Sequence, residues 1–312
     1  MTPFAFVFPG QGSQSVGMLD AWGDHPAVRQ TLDEAAAALD LDVGRLIREG
    51  PKEQLDLTTN TQPLMLTAGV ACYRAWLAET HHAPVLVAGH SLGEYTALVV
   101  AGALRLADAL PLVRFRAQAM QDAVPVGVGA MAAILGLDAA AVAAGCAQAA
   151  RDSGETVQAA NFNDPKQTVI AGTKAGVDKA CELLKAGGAK RALPLAVSAP
   201  FHSSLMKPAA ERLRERLATT PLEAPYIPLI DNVDVKSESE PASIRDALYR
   251  QAFGAVRWVE TIHAIRKRGI DHIFECGPGR VLVGMVKRIE PDAVAAAVSD
   301  PASLAEAATL LR

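Results

Sequence analysis

The chain has 312 residues, a formal net charge of −4, and hydrophobic side chains at 50% of its positions. This length allows one large domain, or a large domain with a small one. The acidic balance and the low aromatic content of 5% argue against nucleic-acid binding, and no apolar run approaches the ~18–20 residues of a membrane span.

The amino terminus and the cysteines indicate a cellular compartment. Residues 1–4 contain no basic segment leading into an apolar core, so no secretory signal is visible. The four cysteines are widely scattered, without metal-ligand spacing or the pattern of a disulfide framework. We therefore predict a soluble protein of the cytoplasm.

Strands and helices alternate in the first part of the chain. The predicted strands cover residues 4–8 and 85–88, and the predicted helices cover residues 27–39, 63–79, 94–102 and 107–121. The second helix has Pro63 in its first turn, after a capping segment at 61–62.

The segment Gly89–Gly93 has the pattern G-x-S-x-G between a predicted strand and a predicted helix. In this context the pattern predicts a nucleophile elbow, a tight turn that exposes the serine hydroxyl, here Ser91. The N–H of Leu92, at the start of the helix, then points toward a reacting carbonyl oxygen. The alternative is an ordinary helix cap at Ser91.

The middle of the chain, residues 125–197, has a different order of predicted strands and helices. The predicted order there is βαββαβ, which is typical of a ferredoxin-like unit; its strands are 130–135, 156–161, 167–171 and 191–197, and its helices are 138–150 and 175–186. Alternation then resumes with helices at 204–219, 243–253 and 258–268, strands at 227–232 and 272–275, and a turn at 277–279. The predicted fold is an α/β hydrolase-like core with a parallel sheet, formed by 1–124 and 198–312, with an inserted ferredoxin-like domain at 125–197.

Ser91 needs a general base, and the sequence contains seven histidines. His202 follows the inserted unit and directly precedes a helix, whereas His90, next to the serine, is expected to point to the opposite side of the turn. From this position alone, a structural role is the simpler interpretation of His202. No acid lies in a convincing triad position, because the candidate aspartates fall in turns or helix caps: Asp122, Asp138, Asp164 and Asp178.

Six segments occur together and in order along the chain. They are residues 8–14, 89–95, Arg116, 161–163, the segment around Pro200 and His202, and 232–235. The set resembles the malonyl-CoA:acyl carrier protein transacylases of bacterial type II fatty acid synthesis, over roughly residues 3–290. The resemblance implies the same two-part architecture and a malonyl transfer that needs no metal or bound cofactor.

The resemblance also assigns reaction roles. It makes Ser91 the acylated nucleophile and His202 its base, with the main-chain carbonyl of Gln251 orienting the imidazole in place of an acid. The backbone N–H groups of Gln11 and Leu92 match the family's oxyanion hole. The glycines on either side of Gln11 fit this role, because they let the backbone approach a substrate closely.

Further residues match the family's substrate pocket. Arg116 matches the arginine that holds the malonyl carboxylate, although the residues alone favour a solvated helix charge. Gln62 and Asn161 are candidates for lining the pocket, and a cap neighbour and a turn amide are equally good interpretations. Phe201 stands where many close members carry a small polar residue. In related polyketide acyltransferases a bulky Phe at this place accompanies the choice of malonyl over methylmalonyl, so we predict that the ring leaves no room for a branch and favours malonyl.

The implied partners are malonyl-CoA and an acidic acyl carrier protein, and we expect a monomer. A chain of negative net charge needs a local basic face for such a carrier. The candidate residues are Lys190, Arg191, Arg280, Lys287 and Arg288, for each of which solvated surface is the alternative.

Three other functions stay open. A trans-acting malonyl loading enzyme of a polyketide pathway shares the chemistry. A serine esterase or thioesterase shares the elbow, although Arg116 and the loop around Gln11 argue against it. A non-catalytic scaffold that docks carriers is the third, and the intact set of Ser91, His202 and Arg116 argues against it.

Overall fold

Two β-sheets and their flanking helices make up the structure, a computed structural model that describes residues 2–312. The strands are β1 (Phe4–Phe8), β2 (Leu86–Gly89), β3 (Gly129–Leu135), β4 (Val157–Asp164), β5 (Gln167–Thr173), β6 (Arg191–Pro194), β7 (Leu229–Ile230), β8 (His272–Cys276) and β9 (Val294–Val298). The helices are α1 (Pro26–Leu39), α2 (Val43–Glu49), α3 (Lys52–Leu55), α4 (Thr58–Thr80), α5 (Gly93–Val100), α6 (Leu106–Asp122), α7 (Ala139–Ser153), α8 (Lys174–Ala186), α9 (Lys207–Thr219), α10 (Pro241–Gln251), α11 (Trp258–Lys267), α12 (Val281–Ile289) and α13 (Pro301–Thr309). Short 3₁₀ helices cover Asp20–Trp22 and Ser204–Met206.

The larger sheet has the strand order β7-β2-β1-β8-β9, and all its neighbouring strands are parallel. Every residue of the central strand β1 is buried, as its unbroken apolar sequence predicts for a strand covered on both faces. Phe8 pairs with Gly89 at the carboxyl ends of β1 and β2. The loops that follow these two strands therefore start side by side.

The smaller sheet is antiparallel, with the order β4-β5-β3-β6. Buried residues of α7 and α8 pack with those of this sheet in a separate apolar cluster. This arrangement confirms the predicted fold class, a hydrolase-like core with a parallel sheet and a ferredoxin-like unit. The boundaries of that unit at 125 and 197 stay a prediction.

The segment after α10 ties the two sheets together. The N–H of Val256 donates to the carbonyl of Ala160 at 2.8 Å, and the N–H of Phe162 donates back to the carbonyl of Val256 at 2.9 Å. Arg288 of α12 adds an ion pair to Asp164, with Nε 2.7 Å from Oδ2. These contacts hold the small sheet against the large one, beside the ends of β1 and β2.

The prediction for α4 was wrong at its start. The helix begins at Thr58, and Pro63 lies inside it, not in the first turn. Proline removes the backbone donor that would bond to the carbonyl of Thr59, and nearby threonine hydroxyl groups bond to other carbonyls: Thr61 donates to Leu55 O and Thr67 donates to Pro63 O. Among residues 2–312, no helix is both long enough and apolar enough to cross a bilayer.

Several other boundaries differ from the sequence analysis. Strand β6 ends at Pro194, which has no N–H to offer, and β7 is a two-residue edge strand where 227–232 was predicted. The chain leaves β7 at Asp231, whose carboxylate accepts three backbone N–H groups in a tight turn. After the turn at 277–279 the chain forms α12, β9 and α13, which were not predicted.

Candidate active site

A cavity of about 210 Å³ lies at the carboxyl ends of β1 and β2, between the two sheets. The loop after β1 contributes Gln11, and the turn after β2 contributes Ser91 and Leu92. In open parallel sheets, ligands bind at this edge because the loops converge there. The small sheet and α12 supply the opposite walls.

The turn around Ser91 has the geometry of a nucleophile elbow. Ser91 has a φ of +52°, in the left-handed region that non-glycine residues rarely adopt. A Cβ at Gly89 would lie 1.9 Å from the backbone of Gly93, and one at Gly93 would lie 2.0 Å from the carbonyl oxygen of Phe8. Both glycines are therefore required for the close approach of α5 to the sheet.

Ser91 and His202 are in direct hydrogen-bond contact. Ser91 Oγ lies 2.6 Å from His202 Nε2, and His202 Nδ1 lies 2.9 Å from the carbonyl oxygen of Gln251 and 3.2 Å from that of Gly254. Since carbonyls only accept, Nδ1 carries the proton and Nε2 is left to accept the serine proton. Two backbone carbonyls occupy the place that a triad acid would take.

Burial, followed by the charge of Arg116, lowers the pKa of His202 to about 3. The imidazole is therefore neutral at physiological pH, as a general base must be. An anion bound at Arg116 would offset the effect of the Arg116 charge and raise the pKa of His202.

Arg116 projects from α6 into the cavity and is only 2% exposed. Its guanidinium donates to Gln62 Oε1 at 2.7 Å, to Gln251 Oε1 at 3.0 Å and to Ser91 Oγ at 3.4 Å. Among residues 2–312, no carboxylate forms an ion pair with it. A buried cation held only by neutral groups, next to a nucleophile, is a site for a carboxylate ligand.

Two residues of the cavity lining have backbone N–H groups without an acceptor among residues 2–312. Within residues 2–312, neither Gln11 N nor Leu92 N donates a hydrogen bond, whereas Ser91 N donates to Asn232 Oδ1 at 2.7 Å. Both residues line the cavity. The arrangement is suited to stabilising an oxyanion that develops beside Ser91.

Comparison with known proteins identifies the family. The acyl transferase domain model matches residues 5–301. The malonyl CoA-acyl carrier protein transacylase of Escherichia coli (strain K12) is 51% identical over 311 residues, which cover 99% of this chain and 100% of the relative. The chain belongs to the malonyl-CoA:acyl carrier protein transacylase family.

Solved structures of this transacylase family agree closely with the fold. The acyl-carrier-protein S-malonyltransferase of Burkholderia pseudomallei 1710b is 63% identical with a TM-score of 0.97, covering 99% of this chain and 100% of its own. A malonyl-transacylase in complex with a type II PKS acyl-carrier protein is 48% identical with a TM-score of 0.97, again covering 99% and 100%.

The other residues that matched the transacylase pattern lie around the same cavity. Gln62, Asn161 and Phe201 line it, and Asn161 is 6% exposed. Of the basic residues, Arg280 directly precedes the cavity-lining Val281. Arg288 is bound to Asp164 instead of being free at the surface.

His90 is among the residues that line the cavity, and its Nε2 lies 2.8 Å from Asn163 Oδ1 on β4. The small sheet packs over the elbow at this point and supplies the amide that bonds to His90. The elbow motif alone gives no indication of this partner. Burial lowers the pKa of His90, so this neighbour of His202 is neutral.

The sequence analysis missed most of the apolar lining. It comes from α6, the small sheet and its exit loop, and α12: Met120, Met131, Val169, Leu195, Val197, Val281, Leu282 and Met285. These residues follow ordinary core patterns, so no local signal separates them from the interior. The candidate aspartates are engaged elsewhere, for example Asp122 with Arg212 and Asp178 with Lys174.

Proposed function

We propose that this protein transfers a malonyl group from malonyl-CoA to the phosphopantetheine thiol of an acyl carrier protein, through a malonyl ester on Ser91. The observation that carries the proposal is Arg116, a buried cation without a carboxylate partner among residues 2–312, 3.4 Å from the nucleophile. The names of the relatives, malonyl CoA-acyl carrier protein transacylase, support it.

In the first half-reaction the malonyl carboxylate binds Arg116 and the thioester carbonyl lies over Ser91. His202 Nε2 accepts the hydroxyl proton as Oγ attacks the carbonyl carbon. The oxyanion is stabilised by the N–H groups of Gln11 and Leu92. Collapse breaks the carbon–sulfur bond, and the proton on Nε2 passes to the departing CoA sulfur.

The second half-reaction follows the same path in reverse. The carrier thiol gives its proton to His202, its sulfur attacks the malonyl ester, and Ser91 Oγ leaves with that proton. The two thiols are chemically alike, with an ordinary pKa of ~8.5, so the exchange is close to thermoneutral. We assign every step to side chains and backbone groups and propose no metal or bound cofactor.

The decisive experiment is intact-protein mass spectrometry after incubation with malonyl-CoA alone. We expect a stable malonyl adduct that maps to Ser91 and is absent from Ser91→Ala. A serine esterase would instead release malonate and CoA without accumulating the adduct. A protein that acquires no adduct and releases no CoA would be a docking scaffold, and the proposal would be wrong.

A polyketide pathway is the second candidate setting, because one structural relative is a transacylase bound to a type II PKS carrier protein. The chemistry at Ser91 is the same in both settings. Offering malonyl-loaded enzyme to a fatty acid carrier and to a polyketide carrier in parallel distinguishes them by the second-order transfer rate.

The ring of Phe201 is proposed to select malonyl over methylmalonyl. It lines the cavity and packs against the small-sheet cluster that contains Met131 and Val169. Removing the ring opens space for an α-methyl branch, and one methyl group in an apolar pocket changes discrimination by about 10-fold or more. We expect Phe201→Ala to raise methylmalonyl loading relative to malonyl loading by that factor, measured with both thioesters in competition. An unchanged ratio would contradict this role.

We propose that the carrier docks on two groups of basic residues, Arg280 and the pair Lys190 and Arg191. Arg280 adjoins the lining residue Val281, whereas Arg191 lies four strand positions, about 13 Å, before the lining residue Leu195. A charge reversal at Arg288 would also break its ion pair with Asp164, so this substitution is a poor test of carrier docking.

We expect the double reversal Lys190→Glu and Arg191→Glu to raise KM for the carrier protein about tenfold. Arg280→Glu should have at least as large an effect because it lies closer to the cavity. KM for malonyl-CoA is the internal control and should stay constant. Equal changes for both substrates, or none, would exclude the patch.

The remaining proposals concern cellular context. We place the protein in the cytoplasm, which agrees with four free cysteines, three of them buried. We propose a monomer because one chain supplies the nucleophile, the base and the cation of the cavity.

A further inference from the structure

A carboxyl group lies buried behind the cavity and has no part in the mechanism above. Glu94 is in the first turn of α5, three residues after Ser91, and is 1% exposed. It is not among the cavity-lining residues. Its Oε2 accepts two hydrogen bonds, from Asn232 N at 2.9 Å and from Gln251 Nε2 at 3.0 Å.

The Gln251 side chain links this carboxyl group to the cation of the cavity. Its Oε1 accepts from Arg116 Nη2 at 3.0 Å, and its Nε2 donates to Glu94 and also to the carbonyl of Ser91 at 3.0 Å. The amide is thus held with its oxygen toward a donor and its nitrogen toward two acceptors. The flipped amide would set N–H against the guanidinium N–H groups, so only one orientation is satisfied.

Glu94 Oε2 and the carbonyl oxygen of Ser91 form the acceptor pair that sets this orientation. Without Glu94, only the carbonyl of Ser91 would hold the Gln251 amide nitrogen. The side chain of Asn232 bonds to the backbone of the elbow itself. Its Nδ2 donates to Gly89 O at 2.6 Å, and its Oδ1 accepts from Ser91 N. Burial raises the pKa of Glu94 to about 8, so the carboxyl group is largely neutral at physiological pH and acts through its hydrogen bonds.

We propose that Glu94 is a positioning residue for acyl selectivity: through the Gln251 amide it holds the Arg116 guanidinium where a substrate carboxylate can bind. It acts without touching the substrate. The inference rests on the proposed function, because it concerns the group that Arg116 recognises. Its distinctive consequence is that Glu94 should matter for an acyl group with a free carboxylate and hardly at all for one without.

The experiment compares malonyl and acetyl loading of Ser91 by rapid-quench mass spectrometry, with malonyl-CoA and acetyl-CoA. For Glu94→Ala we expect malonyl loading to fall about 10- to 100-fold, the effect of leaving a buried polar network unsatisfied. Acetyl loading should change less than about threefold, because the dyad and the oxyanion donors stay in place. Glu94→Gln retains one oxygen that accepts both hydrogen bonds, so its malonyl-to-acetyl ratio should return to within about threefold of wild type.

Two controls separate positioning from general damage. Glu275→Ala removes another buried glutamate, one that accepts from Val283 N at 2.9 Å at the start of α12, and any loss there should be equal for the two acyl groups. In a double-mutant cycle, Glu94→Ala and Gln251→Ala should be non-additive for malonyl loading, because both act through one link.

Folding is monitored by thermal unfolding, and Glu94→Asp decides the test if Glu94→Ala does not fold. Aspartate keeps the carboxyl group but withdraws it by one methylene from Gln251, so a selective loss of malonyl loading is again expected. Parallel loss of malonyl and acetyl loading, or an unchanged ratio in the folded variants, would overturn the inference. Malonyl loading of the wild-type protein tests the proposed function separately, so the two failures are distinguishable.

Discussion

Replacing His202 with alanine is expected to slow malonyl loading of Ser91 by about 10⁴-fold, the upper range for a general base. The base accepts the serine proton over a 2.6 Å contact, and no other imidazole bonds to Ser91 Oγ within residues 2–312. The measurement is the single-turnover rate of adduct formation with malonyl-CoA in excess. A loss below tenfold would mean that another group removes the proton.

The protonation state of His202 gives a separate check on the same variant. Because its folded pKa is near 3 and lies below the ordinary value, the neutral form persists as pH falls from 7 toward 4. The His202 imidazole signal, assigned by its absence from the His202→Ala spectrum, should stay at the neutral position down to about pH 4 in an NMR titration. A midpoint near the ordinary value of ~6.5 would contradict the buried, cation-adjacent environment.

Replacing Arg116 with alanine is expected to lower malonyl loading by about 10²–10³-fold, as for truncating one partner of a buried, hydrogen-bonded charge pair. Acetyl loading should survive or rise, because acetyl leaves the guanidinium unpaired in the wild-type cavity and the alanine variant removes that penalty. The loss of the nearby positive charge also favours a more basic His202, since that charge is one cause of its low pKa. Parallel adduct measurements with malonyl-CoA and acetyl-CoA give the two rates.

Arg116→Lys is the matched variant for this prediction. Lysine keeps the charge but cannot reach both Gln62 and Gln251 in the planar geometry that the guanidinium uses at 2.7 and 3.0 Å. We expect malonyl loading between that of wild type and Arg116→Ala. Malonyl and acetyl rates that fall together in both variants would remove the carboxylate-binding role of Arg116.

The two sequence predictions that rest on local patterns agree with the structure. The elbow depends on five consecutive residues, and the steric reason for Gly89 and Gly93 is present in their spacing. The antiparallel order of the small sheet follows from the succession of strands and helices between 130 and 197. Both depend on contacts within an element or between neighbouring elements, and such contacts leave periodic traces in the sequence.

The local rules failed where tertiary packing opposes them. By the usual preference for proline in the first turn, Pro63 predicts a helix start, yet burial on all sides stabilises a helix that begins at Thr58. The sequence predicts a strand at 227–232, but β7 lies at the edge of the sheet, pairs with β2 alone and ends after two residues.

By itself the sequence determined the nucleophile turn, the division into two sheets and, through the ordered motifs, the family. Only the tertiary structure decided which groups surround Ser91: the base comes from 111 positions further along, and Arg116 meets Gln251 across 135 positions. It also decided the positions of Glu94 and His90, which the sequence presents as ordinary members of the motif. Contacts over such separations depend on how strands and helices are ordered in the fold, and residue spacing along the chain carries no direct record of that order.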